Sequence, residues 1–314
     1  MKDSYSIGSQ RAEAAQGIAA IQGALLVEDK DIGAANSIDA AGDAKPYETI
    51  EAGRGRRAVL LGLWHYRELL LILAWRDIKV RYKQTLLGAA WAVLQPFLTM
   101  VVFVIFFGKL AGISSDGIPY PIFAYSALLP WMFFSNAVTN ASNSLVESAG
   151  LITKVFFPRA VIPAAAILAG LLDFAIASLL LIAMMAWYRI WPGAALAMLP
   201  VLVALTIAAA FAVGLWLSAL NVKYRDVRYA IPFLVQIWLF LTPVIYPVSI
   251  VPAKWRWLLA LNPMAGTIEG YRSALLGKPF AWTELAISAT ATIVFLLYAT
   301  YTFSRMEGQF ADMI

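Results

Sequence analysis

From Gly88 onward the chain is a succession of apolar stretches, most of about twenty residues or more, parted by polar links. A helix needs about 20 predominantly apolar residues to cross a hydrocarbon core about 30 Å thick, so each stretch is predicted to span a membrane. Six spans are placed at 88–109, 119–141, 160–187, 194–220, 229–248 and 282–303. The third and fourth are nearly unbroken Ala, Leu, Ile and Val, whereas the second is more polar and Pro243 and Pro247 interrupt the fifth. Such breakers are tolerated in a membrane where neighbouring protein satisfies the freed backbone groups. The pattern predicts an all-α integral membrane protein with a six-span domain over 88–303.

The flanks read differently. In 60–87, Leu69, Leu70, Ile72, Leu73, Ile78 and Val80 alternate at helical spacing with Arg67, Glu68, Arg76, Asp77, Arg81 and Lys83. This stretch is too charged to span, and its position before the first span predicts an amphipathic helix lying in the interface, the bland alternative being a soluble helix. The link 249–281 is too long for a tight turn. Asn262, Pro263 and Gly266 break its helical spacing, which predicts two short helices that re-enter or lie on the outer face. Residues 1–55 lack the basic start and apolar run of a secretory signal. They are expected to form a disordered cytoplasmic extension, and 304–314 a cytoplasmic tail.

Composition agrees with the pattern. Hydrophobic residues make up 61% and charged residues 14%, where a soluble domain carries about 25% charged residues. The net charge of +5 divides unevenly: residues 1–52 hold nine acids and four bases (−5), which leaves +10 for the rest. Those bases border the spans and act as topology signals, so nucleic acid is a poor explanation for them. Fourteen precede the first span or follow the second, fourth and sixth, against six on the opposite side. That bias places both termini in the cytoplasm.

Much chemistry is excluded. Cysteine is absent and His65 is the single histidine, so disulfides and thiolate or imidazole metal sites are ruled out. No G-x-x-x-x-G-K-[ST] phosphate loop occurs, so the chain is not expected to bind a cofactor or hydrolyse nucleotide, and energy must come from a partner or an ion gradient. Asp173 is the only carboxylate deep in a span. A lone carboxylate does not make a proton relay, so gradient-driven transport fails. A membrane glycan polymerase or ligase would need clustered acids, histidines or arginines on an outer loop, where only Glu269, Arg272 and Lys278 stand.

Five blocks carry a resemblance: WRDIKVRYKQTLLGAAWAVLQPFLTM (75–100), PYPIFAYSALLPWMFFSNAV (119–138), SLVESAGLITKVFFPRAVIP (144–163), LNVKYRDVRY (220–229) and LNPMAGTIEGYRSALLG (261–277). In this order, over about residues 60–314, they resemble the permease subunits of type 2 ABC exporters for O-antigen, teichoic acid and related lipid-linked polysaccharides. The extension 1–55 departs from the pattern, being longer than the usual start. The resemblance implies a homodimer in the bacterial inner membrane with the conduit between its subunits. It also implies two copies of a separate ATPase subunit, which use ATP and Mg on the cytoplasmic side. An exporter of this type for a drug or simple lipid stays open as an alternative.

The resemblance further implies that the loop 143–159 docks into the ATPase through Glu147, Leu151, Ile152, Lys154, Phe156 and Phe157, a plain loop on headgroups being the alternative. It makes 249–281 an outer gate in which Asn262 and Pro263 break the hairpin and Glu269, Tyr271 and Arg272 meet the substrate, a structural Glu269–Arg272 helix pair being the alternative. Side-chain type suggests the conduit wall. Trp91, Gln95 and Thr99 recur every four residues, with Phe103 and Phe106 beyond. Span 2 adds Trp131, Asn136, Thr139 and Asn140, and span 5 adds Phe233, Gln236 and Trp238. Amides are expensive in lipid, so they should face protein or water, either lining a pore or joining helices. At the cytoplasmic mouth Arg76, Lys79, Arg81 and Lys83 are expected to meet lipid headgroups or the pyrophosphate of a substrate.

Overall fold

The computed structural model describes residues 62–83, 88 and 90–310, and every regular element among them is helical. The extension expected over 1–55 lies outside the described residues, as do 84–87 and 311–314. Helix α1 (Arg67–Lys83) precedes α2 (Ala90–Phe103), which continues as a π-helical segment to Leu110. Then follow α3 (Tyr120–Glu147), the one-turn α4 (Ala149–Ile152), α5 (Val161–Trp187) and α6 (Leu199–Lys223). The last four are α7 (Val227–Phe240), α8 (Ala253–Ala260), α9 (Pro263–Leu276) and α10 (Trp282–Met306).

Five segments are long and apolar enough to cross a membrane: Ala90–Leu110, Tyr120–Glu147, Val161–Trp187, Ala194–Lys223 and Trp282–Gln309. The stretch predicted as a span over 229–248 is instead the shorter apolar helix Val227–Phe240 followed by a turn. Proline lacks an N–H and disfavours helical geometry in the residue before it, so Pro243 stops the helix. At 1.5 Å per residue its 14 residues reach about 21 Å.

Helix α3 is the buried centre, with α5 and α6 packed against it. Small residues permit the close approach: a Cβ on Gly214 of α6 would stand 2.7 Å from the Cβ of Ala141. Near the same ends, the Asn221 amide donates to the Ser142 carbonyl at 2.9 Å and to Asn143 Oδ1 at 3.0 Å. Helix α1 packs along α5. Just before it a Cβ on Gly62 would stand 3.3 Å from Pro158, and at its far end Arg81 and Tyr82 both reach Asp173. Its apolar positions are thus partly spent on a neighbouring helix, a use that periodicity does not distinguish from burial in lipid.

The two short helices expected in 249–281 are α8 and α9. Local signals bracket α9: Asn262 caps it by accepting from Met264 N–H at 3.0 Å, Pro263 follows, and Gly277 closes it at φ +71°. Gly266, expected to break the helix, instead lies within α9 and lets it pack against α10, where Ser288 Oγ accepts the Gly266 N–H at 3.0 Å and donates to the Ala260 carbonyl at 2.8 Å. A Cβ at Gly266 would stand 2.5 Å from the Glu284 carbonyl and 2.6 Å from Ser288 Oγ. Gly266→Ala is therefore expected to lower stability by about 1–3 kcal/mol through overpacking. A melting midpoint equal to wild type in detergent would show that the two helices separate freely.

Candidate functional site

A cavity of about 370 Å³ opens between the end of α1 and helices α2, α3 and α5. Four residues expected in the conduit wall meet there: Trp91 and Gln95 from α2, Asn136 and Asn140 from α3. Arg81, Tyr82 and Asp173 complete its polar lining. The side chains of Gln95, Asn136 and Asn140 make no hydrogen bond among the described residues, and Gln95 and Asn136 are exposed. Asp173 stands near the middle of α5, so the cavity lies at membrane depth. Unsatisfied amides at that depth are costly against hydrocarbon, so this face is built for water or for another polar surface.

Asp173, solitary in the sequence, has partners in the fold: an Arg81 guanidinium nitrogen and the Tyr82 hydroxyl donate one to each carboxylate oxygen. The basic cluster of α1 accordingly divides. Arg81 turns inward to Asp173, while Arg76 pairs with its neighbour Asp77 at 2.9 Å, Lys79 stands 5.5 Å from the Trp75 ring and Lys83 is exposed.

Other residues expected in the wall go elsewhere. Trp131 and Trp238 are packed with Phe134, the Trp238 ring lying 5.2 Å from Phe134 and 6.5 Å from Trp131, and the Trp238 indole donates to Asn262 Oδ1 at 3.0 Å. Phe103 is buried edge-on to Phe107. Thr139 and Thr99 donate back into their own helices, to the Ser135 and Gln95 carbonyls. Phe106, Phe233 and Gln236 are exposed and do not line this cavity. Helical spacing puts such residues on shared faces without saying which faces the fold covers.

Of the residues expected at an outer gate, Tyr271 and Arg272 do not present themselves to a ligand. Tyr271 is buried with its hydroxyl 3.4 Å from Thr206 Oγ1. Arg272 is completely buried and donates to the Pro243 carbonyl at 2.7 Å and the Val244 carbonyl at 2.8 Å, with Glu269 at 3.4 Å. Its guanidinium lies 3.8 Å from the Phe123 ring centre. Carbonyls freed by the break after α7 thus find their donor on α9, the kind of repair a broken membrane segment requires. Sequence reasoning missed a clamp nearby: Asp116 accepts from Lys278 and Ser249, each at 2.8 Å. The hydrogen bond from Lys278, helped by Ser249, holds the Asp116 carboxyl below its usual pKa.

In the loop 143–159 the apolar residues separate into two sets. Ile152 and Phe157 are buried, Leu151 is half-buried, and Phe156 is 73% exposed, with Glu147 and Lys154 exposed on either side in sequence. The loop's end is anchored, for Glu307 Oε1 accepts the Arg159 N–H at 2.8 Å and the Arg159 guanidinium donates to the Glu307 carbonyl. Phe156 is therefore the most exposed large apolar side chain on a tethered loop.

Residues 68–276 match the family profile described as ABC-2 type transporter. The chain is 32% identical over 256 residues to the O-antigen export system permease protein RfbA of Myxococcus xanthus, covering 80% of this chain and 97% of that one. It is 25% identical over 248 residues to a protein of the same name from Klebsiella pneumoniae, covering 79% and 95%. Against the polysialic acid transport protein KpsM of Escherichia coli, identity is 22% over 202 residues, covering 64% and 78%.

Proposed function

The chain belongs to the ABC-2 type transporter membrane family, and from that premise we propose that it is the transmembrane subunit of an ATP-driven exporter of lipid-linked polysaccharide. Relatives named for O-antigen export and polysialic acid transport support the cargo class. The observation that carries the reading is the cavity at membrane depth where Gln95, Asn136 and Asn140 stand unpartnered beside Trp91. Hydroxyl-rich chains bind through amides and aromatic faces, and amides free of internal partners can exchange hydrogen bonds with a passing sugar.

In this reading two copies of the chain face each other across the conduit in the bacterial inner membrane, with both termini cytoplasmic. Helix α7 with its turn completes a sixth crossing, and α8 and α9 form a hairpin that re-enters from the outer side. Two ATPase subunits, which use ATP and Mg, dock on the 143–159 loops.

The test is export and hydrolysis by this chain co-purified with its ATPase in lipid. Asn136→Trp would fill the cavity and is expected to slow glycan export at least about tenfold, about 1.4 kcal/mol in barrier, while basal hydrolysis is retained. Export at the wild-type rate would remove the cavity from the conduit. Docking is tested separately. If Phe156 inserts into an ATPase groove, Phe156→Asp forfeits about 1.5–3 kcal/mol of burial and should abolish glycan-stimulated hydrolysis with the membrane domain still folded. Undiminished stimulation would place the contact elsewhere.

A further inference from the structure

A second cavity, of about 1490 Å³, lies between α7 and α10 with α6 as its floor. Helix α3 separates it from the polar cavity. Val138 touches this one while Asn136 and Asn140 touch the other, and helical geometry sets those positions on opposite faces. Its walls are almost wholly apolar, with Ile237 and Leu241 on one side, Ala286 and Ala291 on the other, and Trp216 between. From Trp282 to Tyr298 it follows α10 for about 24 Å, most of the hydrocarbon thickness.

An empty slot of this length would strip its lining of dispersion partners. Water would find too few polar groups there to be held. Chemistry at one mouth indicates what fills it. Lys223, Arg225, Arg228 and Arg305 stand exposed near the ends of α6, α7 and α10, one to two turns or so beyond the lining residues Leu217, Ile231 and Tyr298; of the acids nearby, Asp226 is exposed and Glu307 is turned to Arg159. Three of these cations sit beside tyrosine rings: Lys223 at 5.2 Å from Tyr224, Arg228 at 4.6 Å from Tyr229 and Arg305 at 4.6 Å from Tyr301. Cations above amphipathic rings, at the rim of an apolar slot, match a phosphate headgroup with hydrocarbon chains beneath it.

We propose that this groove is a resident-lipid site that takes the acyl chains of an anionic phospholipid, with the phosphate against Lys223, Arg225, Arg228 and Arg305. The occupant is a bilayer lipid rather than the carrier chain of a glycan, because the unpartnered sugar-binding amides open on the far side of α3. The bound chains would brace α7, whose main helix partners among the described residues are α3 and α6.

The test is native mass spectrometry of the full chain after reconstitution in phosphatidylglycerol or phosphatidylcholine vesicles and extraction in mild detergent. About one phosphatidylglycerol per chain is expected to survive extraction, with Thr290→Trp or Ala286→Trp reducing retention at least about tenfold. The quadruple variant K223Q/R225Q/R228Q/R305Q is expected to lose the preference for phosphatidylglycerol over phosphatidylcholine. Unaltered retention in both tryptophan variants, or no preference in the wild type, overturns the proposal. So does displacement of phosphatidylglycerol by a polyprenyl phosphate. The chain has no cysteine, so a disulfide-linked dimer of Thr290→Cys in membranes would make a second copy the occupant, and that too overturns it.

Discussion

Arg272→Ala is expected to cost about 3–5 kcal/mol of stability, the largest effect of any single substitution considered. The guanidinium is completely buried, and its work is local. It closes two carbonyls, Pro243 and Val244, that no helical N–H can reach once Pro243 has ended α7. Each carbonyl left unpaired in a dry interior costs about 1–3 kcal/mol. Glu269 loses its ion-pair partner as well, and the Phe123 ring loses the cation it faces. Part of the turn would survive, since Tyr120 also donates to it, at the Ile245 carbonyl at 2.8 Å. Arg272→Lys keeps the charge but lacks the planar fork that reaches two carbonyls at once, so an intermediate loss is expected. Thermal midpoints in detergent, with protease cleavage between 241 and 250, measure both variants. If the alanine protein melts with the wild type and resists cleavage there, the turn is held by something other than Arg272.

Breaking the Arg81–Asp173 pair is expected to be nearly as severe. Its oxygens and nitrogens sit at the wall of the polar cavity near the middle of α5. An uncompensated charge at the centre of a membrane helix costs about 2.5–3.5 kcal/mol on insertion scales. Arg81→Ala leaves Asp173 with only the Tyr82 hydroxyl, and Asp173→Ala leaves Arg81 without its carboxylate, so each should lose about 3 kcal/mol. Removing both together should cost little more than removing either, because no orphan charge remains. A double-mutant cycle on the thermal midpoint measures that coupling. Additive losses would mean that the two side chains act independently. Tyr82→Phe is the finer probe, since it removes one donor to the carboxylate and leaves the ion pair in place.

How far each feature was legible follows from its range along the chain. The break before α9 was legible as Asn262 and Pro263 because capping joins residues two apart, whereas Gly277, which closes the helix, was not singled out in the sequence. The short length of α7 was half visible: Pro243 stood in the sequence, but the donor that makes the break tolerable lies 29 residues away on α9. Phe156 and Phe157 are adjacent and alike, yet one is exposed and the other buried, which only the packing of the loop against its neighbours decides. Trp91, Gln95, Asn136 and Asn140 were chosen for amide and aromatic type, and the fold gathers them in one cavity. Trp131 and Trp238 were chosen on the same ground, and packing claims them instead.

By itself the sequence determined that this protein lives in a membrane, where most of its long apolar helices run and which family it belongs to. The family rests on blocks of sequence in order, and the membrane on transfer free energies that each residue carries alone and that add along a stretch of about twenty. Tertiary structure alone decided which charges are partnered, which faces are covered and which amides are left unpartnered. Asp173 and Arg81 lie 92 residues apart. Only the packing of α1 against α5 turns two separately unfavourable residues into one tolerable pair, because the energy of a charge at membrane depth depends on what stands beside it in space.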